Sequence, residues 1–240
     1  MKVSVILPAA GLGTRMHRPV PERSGTSRKQ FMLLDGAPIL VHTIRKFAAA
    51  SKVNEIVVAL RADDLEWGAE LVRKESAGKP VRIVEGGESR QESVEHALDS
   101  LSPDTDLVAV HDPVRPFVDL DIVDRVIAEA AETGAAIVGI VPVDTVKQVH
   151  LNKVRATIPR ERLILTQTPQ VFRLDLIRRA FQKAKEDGFI GTDESSLVER
   201  LDIEVSVVAG SDRNIKITKP SDMEFARLIL ASETAGRVAS

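Results

Sequence analysis

An α/β fold, in which a mostly parallel sheet carries helices on both faces, is what this sequence predicts. Three observations lead there. Short runs rich in Val and Ile recur without polar alternation, as they do in strands buried on both faces. Longer stretches of helical period separate these runs, the order that makes a parallel sheet. The length, 240 residues, suits one such domain, and the chain is read as a single domain over 1–240.

The elements follow in order. Strands are expected at 3–7, 55–60, 81–85, 107–111, 136–141 and 204–208, and helices at 39–50, 64–76, 89–100, 121–132, 174–187, 194–200 and 221–232. In the helix at 121–132, Ile122, Val123, Val126, Ile127 and Ala130 make one apolar stripe. Two segments break the alternation. Residues 17–28 hold two prolines, a glycine and four basic residues counting His17, and read as a loop. Residues 144–170 contain β-prone pieces but no helix, so they read as an excursion with its own role, such as an arm packing on a partner.

Composition narrows the classes of function. A net charge of -2 gives no electrostatic footprint for nucleic acid and no acidic tail. With no cysteine, a disulfide framework, thiol catalysis and a zinc–thiolate site are all excluded, and a reducing cytosol fits. The opening apolar run VSVIL is too short for a signal-peptide core or a membrane span. A cytoplasmic protein without membrane or nucleic-acid partners is expected.

Ligands of such sheets lie beyond the carboxyl ends of the strands, so the strand-ending loops carry the chemistry. The first is LPAAGLGTRM. A dinucleotide fingerprint needs a third glycine where Met16 stands, and a P-loop needs a terminal Gly-Lys-Ser/Thr, which is absent. What remains is a loop whose amides, unobstructed at Gly11 and Gly13, can approach an anion, with Arg15 adding a fork for phosphate oxygens. The second is VAVHDPVRP, where Asp112 follows a buried strand and offers the hard oxygen that Mg²⁺ prefers, beside Arg115. A lone aspartate there also suits a helix cap, but prolines on both sides of Val114 favour a shaped loop. In the third, EGGESRQES, Gly86, Gly87 and Ser93 suit reading of a base edge, and equally a capped helix with Ser89 and Glu92 as its capping box. The fourth, DRNIKITKP, places Lys216 in an alternating run that reads as an edge strand, its charge available to stabilise a pentacoordinate phosphorus. His42, His96 and His150 are scattered and read as structural or solvated.

Taken together, LPAAGxGTRM, KQF, GGxxRxxSV, HDxVRP, DTVK, TPQxF, TDExS and NIKIT resemble one family, the 2-C-methyl-D-erythritol 4-phosphate cytidylyltransferases of non-mevalonate isoprenoid synthesis. The motifs run from Leu7 to Thr218, nearly the whole chain. The resemblance implies a Rossmann-like nucleotidyltransferase fold with an extended β-arm for dimerisation within 144–170. It implies CTP on Pro8, Ala9, Ala10, Gly11 and Gly13, with cytosine read by Gly86, Gly87, Glu88 and Ser93. Arg15, Lys29 and Lys216 become the catalytic cations, and Asp112 the carboxylate facing Mg²⁺ or another divalent cation. Arg115, Thr145, Arg160, Thr168 and Thr192 become contacts to methylerythritol phosphate, with Thr145 and Arg160 acting across a homodimer. The interval from Arg15 to Lys29 is longer than the family's usual one, and Pro113 replaces its usual alanine. No segment resembling a cyclodiphosphate synthase follows, so a monofunctional chain is expected. Alternative readings are a cytidylyltransferase for another polyol phosphate, such as ribitol 5-phosphate, and a non-catalytic nucleotide sensor.

In the implied reaction the acceptor's phosphate oxygen attacks the α-phosphorus of CTP in line and pyrophosphate leaves. That nucleophile is already anionic, so the barrier is repulsion between anions, and positioned cations answer it. Lys216→Ala should fold and turn over at least about a hundredfold more slowly, the rate equivalent of roughly 3 kcal/mol of lost electrostatic stabilisation. Pyrophosphate release measures this, and wild-type turnover in the variant would remove Lys216 from the mechanism.

Overall fold

The computed structural model describes residues 1–11, 28–75 and 78–238. The chain opens with β1 (Val3–Pro8), then forms a small hairpin of β2 (Leu33–Leu34) and β3 (Ala37–Pro38) ahead of α1 (Ile39–Ala49). Two strand–helix units follow, β4 (Glu55–Leu60) with α2 (Leu65–Glu75) and β5 (Val81–Glu85) with α3 (Arg90–Asp99). Next come β6 (Leu107–Val110), α4 (Leu120–Thr133) and β7 (Ala135–Ile140). A hairpin of β8 (Val146–His150) and β9 (Lys153–Ile158) precedes β10 (Leu165–Arg173), α5 (Leu174–Glu186) and α6 (Glu194–Glu199). The last two elements are β11 (Ser206–Ala209) and α7 (Pro220–Val238).

Seven strands build the central sheet in the order β11-β7-β10-β6-β1-β4-β5. All neighbours are parallel except β10, which runs antiparallel to both β6 and β7. The absence of polar alternation now has its cause. Val3, Val5 and Leu7 of β1 pack with Leu40, Ile44 and Phe47 of α1 and with Val126 of α4. On the opposite face, Ile6, Val57 and Val108 pack with Val94 and Leu98 of α3 and Ile177 and Phe181 of α5. With successive side chains entering opposite layers, both parities must be apolar. A third cluster, including Leu34, Ile39, Val114, Phe117, Ile217 and Met223, lies under the loop that follows β6.

The strands at 55–60 and 81–85 fall where expected, and the other expected strand and helix boundaries shift by a residue or two, apart from α7. Four expectations need correction. The excursion at 144–170 is two things. Residues 146–158 form the β8–β9 hairpin, a separate two-stranded sheet, whereas 165–173 return as β10 in the middle of the main sheet. A proline argues against a central strand, and Pro169 is tolerated because it lies at the irregularity between Gln167 and Gln170, where the pairing with β7 shifts register. The alternating run at 214–218 forms no strand; Ile217 is nonetheless fully buried and its amide donates to the Val114 carbonyl (3.0 Å). The β2–β3 hairpin was not anticipated, since two-residue strands carry no period. Finally, α7 runs on to Val238, past the expected stop at 232.

Phe172 on β10 is fully buried against the α5 layer. Phe172→Ala should lower the unfolding free energy by roughly 3–5 kcal/mol in urea titration. A loss under about 1 kcal/mol would mean that β10 is not a buried central strand.

Candidate active site

The loops after β1, β5 and β6 leave parallel strands at the same edge of the sheet, and a cavity of about 200 Å³ lies between them. Pro8, Ala9 and Gly11 line it from the first loop, and Asp112, Pro113 and Val114 from the loop after β6. Arg90 and Ser93 reach it from α3, Lys29 and Gln30 from the short turn before β2, and Lys216 from the segment before α7. A wider open depression of about 670 Å³, lined by Met1, Asp106, Arg173 and Arg178 among others, lies at the amino-terminal ends of β1 and β6. Parallel-sheet geometry assigns chemistry to the smaller cavity, at the carboxyl ends.

The described part of the first loop is pinned at both ends. The Ala9 amide donates to the Ala59 carbonyl (2.8 Å), and the buried Gln30 amide donates to the carbonyls of Ala9 (2.6 Å) and Gly11 (3.2 Å). A side chain at Gly11 would meet nothing within 4 Å, so its lack of one leaves open space at the cavity edge. Next to Gln30, Phe31 meets Trp67 edge-on, ring centroids 4.7 Å apart. Gly13, Arg15 and the basic loop up to residue 27 lie outside the described residues. Arg28, at the end of that loop, pairs with the buried Asp64 on the side of α2.

In the loop after β5 the glycines serve close approach. A Cβ on Gly86 would come within 2.6 Å of the Ala10 Cβ, and one on Gly87 within 2.2 Å of the Glu92 side chain. Ser93, buried, accepts from the Gly87 amide (3.1 Å) and donates to the Ser89 carbonyl (2.7 Å), so its hydroxyl shapes the turn. Ser89 caps α3 as expected, accepting from the Glu92 amide (3.0 Å). The Glu92 carboxylate reaches one residue farther back than a capping box requires, to the Glu88 amide (2.7 Å).

Asp112 is the electrostatic centre. Its carboxylate is 6% exposed and faces three cations: Lys216 Nζ at 2.8 Å from Oδ2, Arg90 Nε at 3.4 Å from Oδ1 and Arg115 Nε at 3.5 Å from Oδ2. Burial alone would raise its pKa, but Arg90, Lys216 and Arg115 outweigh that and hold it well below the usual carboxylate range. Asp112 caps no helix, since α4 begins at Leu120 behind Asp119. The loop is instead a turn, in which the Arg115 amide donates to the Asp112 carbonyl (3.1 Å) and Pro113 holds the position where proline suits.

Beneath Asp112 runs a buried relay. Its amide donates to Thr168 Oγ1 (3.0 Å), Thr168 Oγ1 lies 3.1 Å from His111 Nδ1, and His111 Nε2 lies 3.0 Å from the Arg115 carbonyl. One assignment satisfies every group. Nε2 carries the proton and donates to the carbonyl, and Nδ1 accepts from the threonine. Burial, partly offset by the Arg115 carbonyl, pushes the His111 pKa down to about 4. Thr168, expected as an acceptor-phosphate contact, thus has its hydroxyl engaged inside the protein. Arg115, also expected there, is nearly buried and donates to the Asn214 carbonyl (2.6 Å) while it faces Asp112.

The remaining expected acceptor contacts lie apart from the cavity lining. Thr145 is exposed ahead of β8, Arg160 is exposed with one guanidinium nitrogen on the Val143 carbonyl, and Thr192 is exposed just before α6. Glu88 is exposed in the loop after β5.

Sequence reasoning passed over Arg90, Glu194, Gln170 and His111, although each stands inside a motif it had quoted. Glu194 is 1% exposed and holds Arg90 by two parallel bonds, 2.6 and 3.0 Å. Burial pushes its carboxyl upward against the pull of Arg90, whose own pKa is raised because Glu194 and Asp112 more than offset burial. Gln170 donates to Asp193 (2.8 Å) and accepts from the Ser195 amide (3.0 Å). A second buried carboxylate paired with an arginine is a signal that could have been sought, since two polar motifs meeting in a core must satisfy each other. Among the described residues, no group of three or more His, Asp, Glu or Cys side chains forms a metal cage.

Residues 3–232 match the family model described as 2-C-methyl-D-erythritol 4-phosphate cytidylyltransferase. A protein of that name from Solibacter usitatus is 69% identical over 240 residues, covering 98% of each chain. Another from Acidobacterium capsulatum is 47% identical, covering 98% of this chain and all of the relative. The crystal structure of 4-diphosphocytidyl-2C-methyl-D-erythritol synthase from Anaerococcus prevotii superposes with a TM-score of 0.83 at 30% identity, covering 96% of both chains.

The His111 relay makes stability depend on pH. The unfolded chain takes up the imidazole proton near pH 6.5 and the folded chain only near 4, so this contribution is complete above about 6.5 and is lost as the pH falls towards 4. The full loss is about 3 kcal/mol. Urea titrations from pH 6.5 to 4.5 should show a steeper fall for the wild type than for His111→Gln. Equal slopes would mean that folded His111 titrates normally.

Proposed function

The chain belongs to the 2-C-methyl-D-erythritol 4-phosphate cytidylyltransferase family, and from that premise we propose how its residues divide the work of the reaction. The enzyme transfers CMP from CTP to 2-C-methyl-D-erythritol 4-phosphate, giving 4-diphosphocytidyl-2-C-methyl-D-erythritol and pyrophosphate for isoprenoid synthesis.

CTP is read as lying along Pro8 to Gly13, with its base against the turn of Gly86, Gly87, Glu88 and Ser93. Ser93 acts on the base indirectly, since its hydroxyl sets the turn whose backbone groups do the reading. Lys29 and Lys216 both line the cavity, and each is read as a contact to the triphosphate. Arg15 is assigned beside them from its motif. The single observation that carries this division is the Lys216–Asp112 pair, 2.8 Å apart, at the carboxyl edge of the sheet. Asp112 with Arg90, Arg115 and Lys216, and Glu194 behind Arg90, make two carboxylates against three cations. The site therefore keeps a net positive charge, the sign that polyanionic substrates need. Asp112, with phosphate oxygens of CTP, would hold Mg²⁺, which would supply further neutralisation of the triphosphate. No general base is required, because the attacking phosphate oxygen is already an anion. What the chain supplies is alignment and fixed positive charge.

The acceptor is read as lying near Thr192, with Thr145 and Arg160 supplied by a second subunit. Thr145 and Arg160 lie at the root of the β8–β9 hairpin and do not line their own chain's cavity. The hairpin also exposes Val149, Leu151 and Val154. A homodimer in which each hairpin serves the other subunit gives both features a use. A cytoplasmic location completes the proposal.

Pyrophosphate release should be measured with CTP, UTP, ATP and GTP against methylerythritol phosphate and ribitol 5-phosphate. CTP with methylerythritol phosphate is expected to dominate. Preference for ribitol phosphate would overturn the acceptor, and no release with any pair would favour a nucleotide sensor. Mixing Arg160→Ala and Lys216→Ala enzymes, each slow alone, should restore part of the activity if Arg160 acts in trans, because a mixed dimer carries one intact site. No recovery on mixing would return Arg160 to its own subunit.

A further inference from the structure

We propose that Glu194 is a positioning residue for cytidylyl transfer, acting through Arg90 to hold the nucleotide side of the site, the acceptor side and Asp112 in one register. The proposal rests on the function assigned above, in which Arg90 and Glu194 count only toward the net charge of the site.

The geometry is a strut with three attachments. Glu194 begins α6 and is buried; it takes two guanidinium bonds from Arg90, the first residue of α3. A bidentate pair fixes the plane of the guanidinium as well as its place. With that face committed, Nε is the nitrogen turned to Asp112 Oδ1, 3.4 Å away. Arg90 lies three residues past Gly87, so whatever holds Arg90 holds the base-reading turn.

The acceptor side is clamped by the same elements. Gln91, beside Arg90, accepts from the Gly191 amide (2.9 Å) and donates to the Phe189 carbonyl (3.2 Å). From the other side, Gln170 of β10 holds Asp193 and the Ser195 amide. Thr192, which is exposed, thus lies in a segment fixed on both flanks. Joining α3 to α6 needs no ion pair. Apolar side chains of similar volume would do it with less desolvation cost, but they would leave Asp112 Oδ1 without its cation. The charge is explained by orientation.

The test uses Glu194→Gln and Arg90→Lys, singly and together, in the full-length chain. CTP affinity is measured by calorimetry, turnover by pyrophosphate release, and folding by thermal melting, with kinetics run well below each midpoint. A misplacement of reacting groups costs up to about a hundredfold, so each single variant should lose at least about tenfold in kcat. KM for methylerythritol phosphate should rise, and CTP affinity should weaken by a smaller factor, since the base-reading turn loses its anchor while the loop after β1 is left intact. The double variant should be no slower than the worse single one, because both changes break one strut. Wild-type kcat in folded Glu194→Gln, or losses that multiply in the double variant, would overturn the proposal. If Glu194→Gln does not fold, Arg90→Lys carries the same test, because it keeps the charge and loses only the fork. An active wild type with indifferent variants sinks this assignment alone. A wild type that releases no pyrophosphate sinks the assigned function with it.

Discussion

A carboxylate placed out of water at the end of a hydrophobic strand is expensive unless it is matched, and at Asp112 that requirement organises the site. Its neighbours come from four places in the chain: Arg90 from α3, Arg115 from its own turn, Lys216 from the segment before α7, and the Thr168 hydroxyl on its amide from β10. Each partner must be held where it stands, and the partners of the partners follow. Glu194 fixes Arg90, the Asn214 carbonyl fixes Arg115, and His111 fixes Thr168. The buried ion pairs add little to net stability, because desolvation consumes most of the Coulomb attraction. What they provide is a fixed orientation of the charged groups at the cavity.

The single antiparallel strand in an otherwise parallel sheet is part of the same arrangement. β10 enters between β6 and β7 and carries Gln167, Thr168 and Gln170 into the interior beside the end of β6. Gln167 holds the Ser211 backbone and Asn214, Thr168 holds the Asp112 loop, and Gln170 holds the start of α6. One polar strand thus ties together three segments distant in sequence. Thr168 and Arg115 are better understood as the frame of the Asp112 loop than as direct acceptor contacts.

Most of the framework could be read from residue order. The strands at 55–60 and 81–85 and the helix stripe of Ile122, Val126 and Ala130 are written in local period, and local period survives folding when both faces of a strand are buried. β10 was hidden because three of its buried residues, Gln167, Thr168 and Gln170, are polar and its middle holds Pro169. Such a strand is stable only because specific partners elsewhere accept its hydrogen bonds. Lys216 lines the cavity, though not from the edge strand that its alternating run suggested. Its segment forms no strand, yet Ile217 buries and turns the lysine toward Asp112. Arg90 and Glu194 sat inside quoted motifs and were passed over, since neither residue alone shows that it has a partner 104 positions away.

By itself the sequence determined the α/β class, a mostly parallel sheet with helices on both faces, and the glycine-bearing loops that end its strands, because hydrophobic period and glycine placement act over a few residues. It also carried enough motif in one order to resemble a single family. Only the tertiary structure decided which polar residues meet: that Asp112 gathers three cations, that Ser93 shapes a turn and that Glu194 grips Arg90. Charge matching in a low-dielectric interior depends on distances of a few ångströms between segments far apart in the chain, and no local pattern encodes those distances.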